Sequence, residues 1–339
     1  MKAVALKRYL PIADPESLLD VELDAPQPGP HDLLVAVRAV SVNPVDTKVR
    51  APKDAVEDKP RVLGWDAAGV VEAVGEQVSG FKRGDKVYYA GDITRAGANS
   101  ALHVVDARIV GHMPESLTFE QAAALPLTTI TAWEALFDRL GISRQASEGR
   151  RESILIIGGA GGVGSIAIQL AAGLAGLEVI ATASRPESAA WVRERGAHHV
   201  VDHFADIPQQ LDALGFRQVD HVLILNDTDR HFPAAAAVIR PQGRICTIVE
   251  NRGSLDVGLL KSKSAALAWE FMFTRAMFQT PDMGEQGRLL DEVARLIDAG
   301  RLRGTVNEVL SPINAENLRK AHAMLEAGHV IGKIVVKDF

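Results

Sequence analysis

Six residues constrain this chain more than any others: Gly159-Ala-Gly161-Gly-Val-Gly164, which fit the spacing G-x-G-x-x-G. They follow a short apolar run, Ser153 to Ile157, and open the stretch "SIAIQLAAGLAG". That context reads as strand, tight turn and helix. Glycines at these spacings let backbone N–H groups at a helix N-terminus approach a pyrophosphate closely. The same turn would also serve helix–strand packing alone. The sequence beyond it alternates between strand and helix patterns: "LEVIATAS", "PESAAWVRERG", "HHVVDH", "VDHVLILN", "FPAAAAVIRPQG" and "RICTIVE". Such alternation predicts a parallel sheet covered by helices on both faces. In that setting Gly159, Gly161, Gly162, Val163 and Gly164 read as a dinucleotide-binding fingerprint.

Residues 154 to 177 run 24 positions without a charge, long enough to suggest a membrane helix. Five of the seven glycines in that run crowd into "GGAGGVG", however, and each costs a helix about 1 kcal/mol against alanine. The strand–turn–helix reading is preferred. The end of the next strand then reports on the dinucleotide. An NAD site places a carboxylate there for the ribose hydroxyls. Here the sequence is "ATASRPES", with Ser184 and Arg185 and no acid. A hydroxyl and a guanidinium suit a 2′-phosphate, which points to NADPH. His203, at the end of the following strand, is a further candidate for that phosphate. His198 and His199 are adjacent in a strand pattern and so face opposite ways, which argues against a shared metal.

At 339 residues the chain exceeds the size of a usual single core, so two domains are expected. From Met1 to about Val110 the pattern is strand-rich and irregular; a helical stretch, "TFEQAAALPLTTITAWEALFDRL", precedes the glycine turn. The net charge of −6 excludes the basic balance that nucleic-acid binding needs. The one cysteine, Cys246, allows neither an internal disulfide nor a cluster of thiolates around structural zinc. The N-terminal residues lack the apolar core of a signal peptide, so a cytoplasmic enzyme is expected.

Four segments together resemble one family: "SVNPVDTKVR", "VLGWDAAGVVEAVGEQVSGFKRGDKVYYAGD", "AAALPLTTITAWEAL" and "GGAGGVGSIAIQLA". They are similar to the medium-chain dehydrogenase/reductase superfamily, within it to the zinc-independent quinone oxidoreductase branch, often labelled zinc-type alcohol dehydrogenase-like. The resemblance implies a Rossmann doubly wound sheet plus a GroES-like mainly-β domain. It implies boundaries of 1–122 and 276–339 for the GroES-like part and 123–275 for the Rossmann part. Zinc-using relatives carry a cysteine, a His-Glu pair and a later cysteine at positions that here hold Asn43, Trp65-Asp66 and Leu127. Tryptophan and leucine cannot ligate zinc and a neutral asparagine is a poor ligand. No metal is expected, and Trp65 is expected to wall the substrate cleft.

Asn43, Pro44 and Asp46 also read as a helix start, with Asn43 as N-cap and Asp46 three residues on as in a capping box. The resemblance adds that Asn43 and Thr131 face the nicotinamide and substrate. Relatives often carry a tyrosine soon after the "NPVD" motif; "RAPKDAVEDKPR" has none, so no proton donor is identified. The expected catalytic set is Asn43, Asp46, Trp65 and Thr131. The expected activity is metal-free hydride transfer from NADPH to a quinone or an α,β-unsaturated carbonyl. A zinc alcohol dehydrogenase and a non-catalytic NADPH-binding structural or sensor protein are the rivals. A homodimer is expected through an apolar edge strand near 264 to 273, "SAALAWEFMF".

Overall fold

The computed structural model describes residues 1–145 and 149–339. Their contacts divide the chain into two compact units: Met1–Ile130 with Phe273–Phe339, and Thr131–Met272. The first division falls later than residue 122 for a packing reason. Helix Phe119–Ala123 lies against the strands Asp32–Val42 and Ala67–Val74 of the first unit. The helical stretch expected from Thr118 onward is broken, because Pro126 cannot continue a helix and restricts the residue before it. A second helix, Pro126–Trp133, starts at that proline and runs into a wider π-turn at Glu134–Arg139.

The first unit is built on a seven-stranded sheet whose central member is the long strand Asp32–Val42. That strand pairs antiparallel with Ala67–Val74 on one side. On the other side it pairs with Leu102–Asp106 along its first half and with the C-terminal strand Lys333–Lys337 along its second. The register sets Ile334 opposite Val42 and Val336 opposite Val40. Lys333 is thereby delivered to the end of the strand at Asn43. A smaller sheet joins Leu19–Glu22, Lys2–Tyr9 and Lys53–Val62. Its strand Lys53–Val62 is an exposed edge rich in charge and carrying Pro60, features that discourage pairing with other chains.

In the second unit six parallel strands stand in the spatial order His199–Val201, Glu178–Thr182, Ser153–Ile157, Val219–Ile224, Ile239–Thr247, Ala266–Trp269. Numbered along the chain this is 3-2-1-4-5-6, the doubly wound order, which reverses direction between Ser153–Ile157 and Val219–Ile224. Ligands of such sheets bind outside the carboxyl ends of the strands at that reversal. Leu155, Ile157, Val222, Ile224 and Ile245 are buried with Leu211 of helix Ile207–Ala213 and Phe232 of helix Thr228–Val238. The near-continuous apolar runs of the sequence are strands covered on both faces. Among the described residues no helix is long and apolar enough to cross a membrane. The strand Ala266–Trp269 is the last in the order and pairs on one side only, with Ile239–Thr247.

Candidate active site and cofactor-binding turn

Three strand ends meet in the first unit, at Val42–Asn43, Trp65–Asp66 and Lys333. Asn43 stands in extended backbone ahead of helix Pro44–Arg50. One half of the expected capping arrangement forms: the Asn43 N–H donates to Asp46 Oδ2 at 2.6 Å. The Asn43 side chain does not cap the helix. Instead its Nδ2 donates to Asp66 Oδ2 at 3.0 Å and, more weakly, to the Ser41 carbonyl at 3.4 Å. Its Oδ1 accepts from the Lys333 ammonium. Lys333 Nζ also donates to Asp66 Oδ2 and to the Val42 carbonyl, each at 3.0 Å. Asp66 Oδ1 accepts the Leu127 N–H at 2.9 Å. Asn43, Asp46, Asp66 and Lys333 are all buried.

Two carboxyls and one ammonium thus share a buried site. Burial pushes the Asp46 carboxyl up to about 7, against the pull of the Asn43 N–H and Lys333. Burial also raises Asp66, opposed by the Lys333 charge and by the donors Asn43 and Leu127. Lys333 is the member of this cluster that sequence reasoning missed. The available signal was a lysine opening the otherwise apolar strand "KIVVK", since a buried ammonium needs a carboxylate partner.

Trp65 and Asp66 are neighbours in sequence with different surroundings. Asp66 joins the charged cluster. The Trp65 indole N–H donates to the Asp92 carbonyl at 3.2 Å, and its ring meets Phe273 edge-on at 6.2 Å. With 1% of its surface exposed, Trp65 is a tightly packed side chain. Thr131, also buried, sits on helix Pro126–Trp133.

In the second unit the glycine turn separates into two kinds of position. Gly158 adopts φ +87°, and its N–H donates to Thr182 Oγ1 at 3.0 Å. A Cβ at Gly164 would lie 2.5 Å from the carbonyl oxygens of both Gly158 and Gly159. A Cβ at Gly159 would lie 2.9 Å from that of Ala181 on the adjoining strand. These two glycines are required for packing. At Gly161 the nearest atom to an added Cβ is 3.7 Å away. Gly161, Gly162 and Val163 are partly exposed at the start of helix Gly162–Gln169, with first-turn N–H groups lacking helical acceptors. Gly164→Ala is therefore expected to destabilise the protein by about 1–3 kcal/mol, and Gly161→Ala to leave stability unchanged while weakening dinucleotide binding. Thermal denaturation and a cofactor titration of both variants check this; equal losses of stability would overturn the division.

Arg185 is exposed beside the half-buried Ser184, at the start of helix Pro186–Glu194. The Ala183 N–H donates to the Val201 carbonyl at 3.0 Å, tying that corner to the strand before His203. His203 packs at 4.3 Å between ring centroids against Phe204, over which the Arg230 guanidinium lies at 4.9 Å. Burial lowers the His203 pKa, so it is held neutral more readily than a free histidine. His198 accepts the Val179 N–H and His199 meets Glu178 Oε1 at 3.0 Å, so both serve the sheet edge.

Residues 29–129 match the alcohol dehydrogenase GroES-like domain, and residues 195–336 match the family described as zinc-binding dehydrogenase. A zinc-type alcohol dehydrogenase-like protein of Staphylococcus epidermidis is 41% identical over 337 residues, spanning 99% of each chain. A crystal structure from Rhizobium etli CFN 42, named provisionally as a zinc-dependent alcohol dehydrogenase, is 52% identical. It has a TM-score of 0.95 and covers 100% of this chain and 98% of its own. The quinone oxidoreductase of Pseudomonas syringae pv. Tomato DC3000 is 27% identical with a TM-score of 0.81 over 99% of each chain. A GroES-like unit combined with a doubly wound sheet is the architecture of the medium-chain dehydrogenase/reductases, a superfamily of oxidoreductases. Within that superfamily the chain belongs to the zinc-type alcohol dehydrogenase-like family.

That family name implies a metal, and the residues at the matching positions do not fit one. Asn43 and Asp66 already face the Lys333 ammonium, Trp65 is turned to Asp92, and the Leu127 side chain is a hydrocarbon whose backbone N–H goes to Asp66. A dication among these groups would sit against a fixed positive charge with no thiolate or imidazole to hold it. Among the described residues no group of three His, Cys, Asp or Glu side chains is placed to hold a metal ion.

Proposed function

We propose that the protein is an NADPH-dependent reductase of quinones or α,β-unsaturated carbonyls that works without a catalytic metal. The observation carrying this reading is the Lys333 ammonium lodged between Asn43 and Asp66, where zinc-using relatives place ligands. Interconverting a simple ketone and its alcohol develops charge on a strongly basic oxygen, for which those relatives use a Lewis acid. A quinone or enone spreads the charge over a conjugated system, so fixed dipoles and charges suffice and water can supply the proton. The quinone oxidoreductase relative is consistent with that class of acceptor.

The glycine turn fits a dinucleotide: Gly161 leaves space for close approach while Gly159 and Gly164 hold the turn. NADPH, when bound, supplies the hydride. Gly161, Gly162 and Val163 would receive its pyrophosphate, and Ser184, Arg185 and His203 its 2′-phosphate. Asn43 and Thr131 are the residues assigned to the nicotinamide and substrate, with Asp46 holding the Asn43 backbone. The test is to follow NADPH loss with a naphthoquinone and a simple enone, and NADP⁺ reduction with short-chain alcohols. Turnover of the first two is expected. Alcohol oxidation without turnover of either, or one zinc per purified chain with activity lost to a chelator, would refute the reading.

Charge-assisted hydrogen bonds contribute roughly 1.5–3 kcal/mol, so NADPH is expected to bind about ten- to a hundredfold more tightly than NADH. Arg185→Ala should remove most of that preference. Equal dissociation constants for the two cofactors in the unmodified protein would sink the assignment. A homodimer through the one-sided strand Ala266–Trp269, flanked by the exposed rings of Trp269 and Phe271, belongs to the same proposal. Light scattering that shows a monomer at micromolar concentration would remove it.

A further inference from the structure

We propose that Lys333 is a positioning residue that supplies the positive charge of this site and sets the orientation of the Asn43 amide. The inference rests on the reading of the chain as a metal-free reductase. It is carried by geometry. The ammonium is buried, and its three donor directions end on Val42 O, Asn43 Oδ1 and Asp66 Oδ2. No water is needed to complete it.

An asparagine amide can ordinarily turn over, exchanging its oxygen and nitrogen. Here Oδ1 meets a cation and Nδ2 meets a carboxylate at 3.0 Å. The flipped amide would set two donors together at Lys333 and two acceptors together at Asp66, so only one orientation is allowed. The Asp46 carboxylate fixes the same residue through its backbone N–H. Lys333 itself is fixed by the strand pairing that places Ile334 opposite Val42. The side chain that the proposed function sets beside nicotinamide and substrate is thus aimed by a charge from the far end of the sequence.

The variants are Lys333→Met, which keeps the stem and removes the charge, and Lys333→Arg, which keeps the charge. Each is read by the Asn43 side-chain amide pair in ¹H–¹⁵N spectra and by kcat and KM. In Lys333→Met the amide pair is expected to move. Misaimed groups cost up to about a hundredfold, so kcat should fall about ten- to a hundredfold with KM for NADPH within about threefold. Lys333→Arg should retain most of the kcat and the amide position. An unmoved amide in Lys333→Met, or equal losses in both variants, would overturn the proposal. If Lys333→Met does not fold, Lys333→Met with Asp66→Asn removes one charge of each sign and is read against Asp66→Asn alone, where an amide unmoved between those two would overturn the proposal. The spectra need no turnover, so an unmodified protein inactive with quinones and enones would count against the proposed function while the amide still decides the role of Lys333.

Discussion

Replacing Asp46 with asparagine is expected to stabilise the protein by about 4 kcal/mol at pH 7.5 relative to the difference between the two proteins at pH 4. The carboxyl moves from an ordinary 3.8 to about 7 on folding, chiefly because it is buried. Its proton is therefore lost more readily from the unfolded chain. Between about pH 4 and pH 7 the unfolded state binds fewer protons than the folded one, and stability falls as pH rises. The contribution is fully present below the unfolded value and is lost as pH passes through the folded one. Asparagine keeps an acceptor for the Asn43 N–H and has no proton to lose. Urea denaturation of both proteins across this range measures the difference directly. A constant difference from pH 4 to pH 7.5 would show that Asp46 titrates normally.

The fold was legible wherever its determinants are local. The glycine turn, the strand Ser153–Ile157 and the strand–helix alternation after it depend on apolar periodicity and turn residues within short windows. So does the helix start at Asn43, where Pro44 and Asp46 lie within one turn. The strand Lys53–Val62 was not legible as one. "KDAVEDKPRV" has no alternation because nearly all of it is exposed, and it is held by pairing to Lys2–Tyr9, set by residues some 50 positions earlier. The charged cluster failed to show for the same reason. Asn43 and Asp66 were singled out from motifs, but Lys333 joins them through a strand register 291 residues from Val42 in sequence. The resemblance brought Trp65 forward by position, while its ring contact with Phe273, more than 200 residues away in sequence, was not legible.

Glu270→Gln is expected to remove a loss of stability of about 3 kcal/mol that the unmodified protein suffers between pH 7 and pH 10, as pH climbs toward the raised value of the Glu270 carboxyl. Glu270 follows the edge strand Ala266–Trp269, and its N–H donates to the Thr247 carbonyl at 2.9 Å. Its side chain is fully buried against Arg139, whose Nε donates to Glu270 Oε2 at 2.8 Å. Glu134, equally buried, hydrogen-bonds to it, and the Cys246 thiol beside them is pushed up to about 12 by burial and the Glu270 charge. Two carboxyls and one guanidinium are neutral together only while one proton is shared between the acids. Burial and the Glu134 charge accordingly raise Glu270 to about 9, against the pull of Arg139. Because the folded value lies above the unfolded one, the stabilisation is present at low pH and is lost as pH rises through the folded value. Glutamine keeps a donor for Glu134 and an acceptor for Arg139 and has no proton to lose. Denaturant unfolding at pH 7, 8.5 and 10 should therefore show the variant holding its stability where the unmodified protein loses it. Parallel curves for the two proteins would mean that the acids do not share a proton.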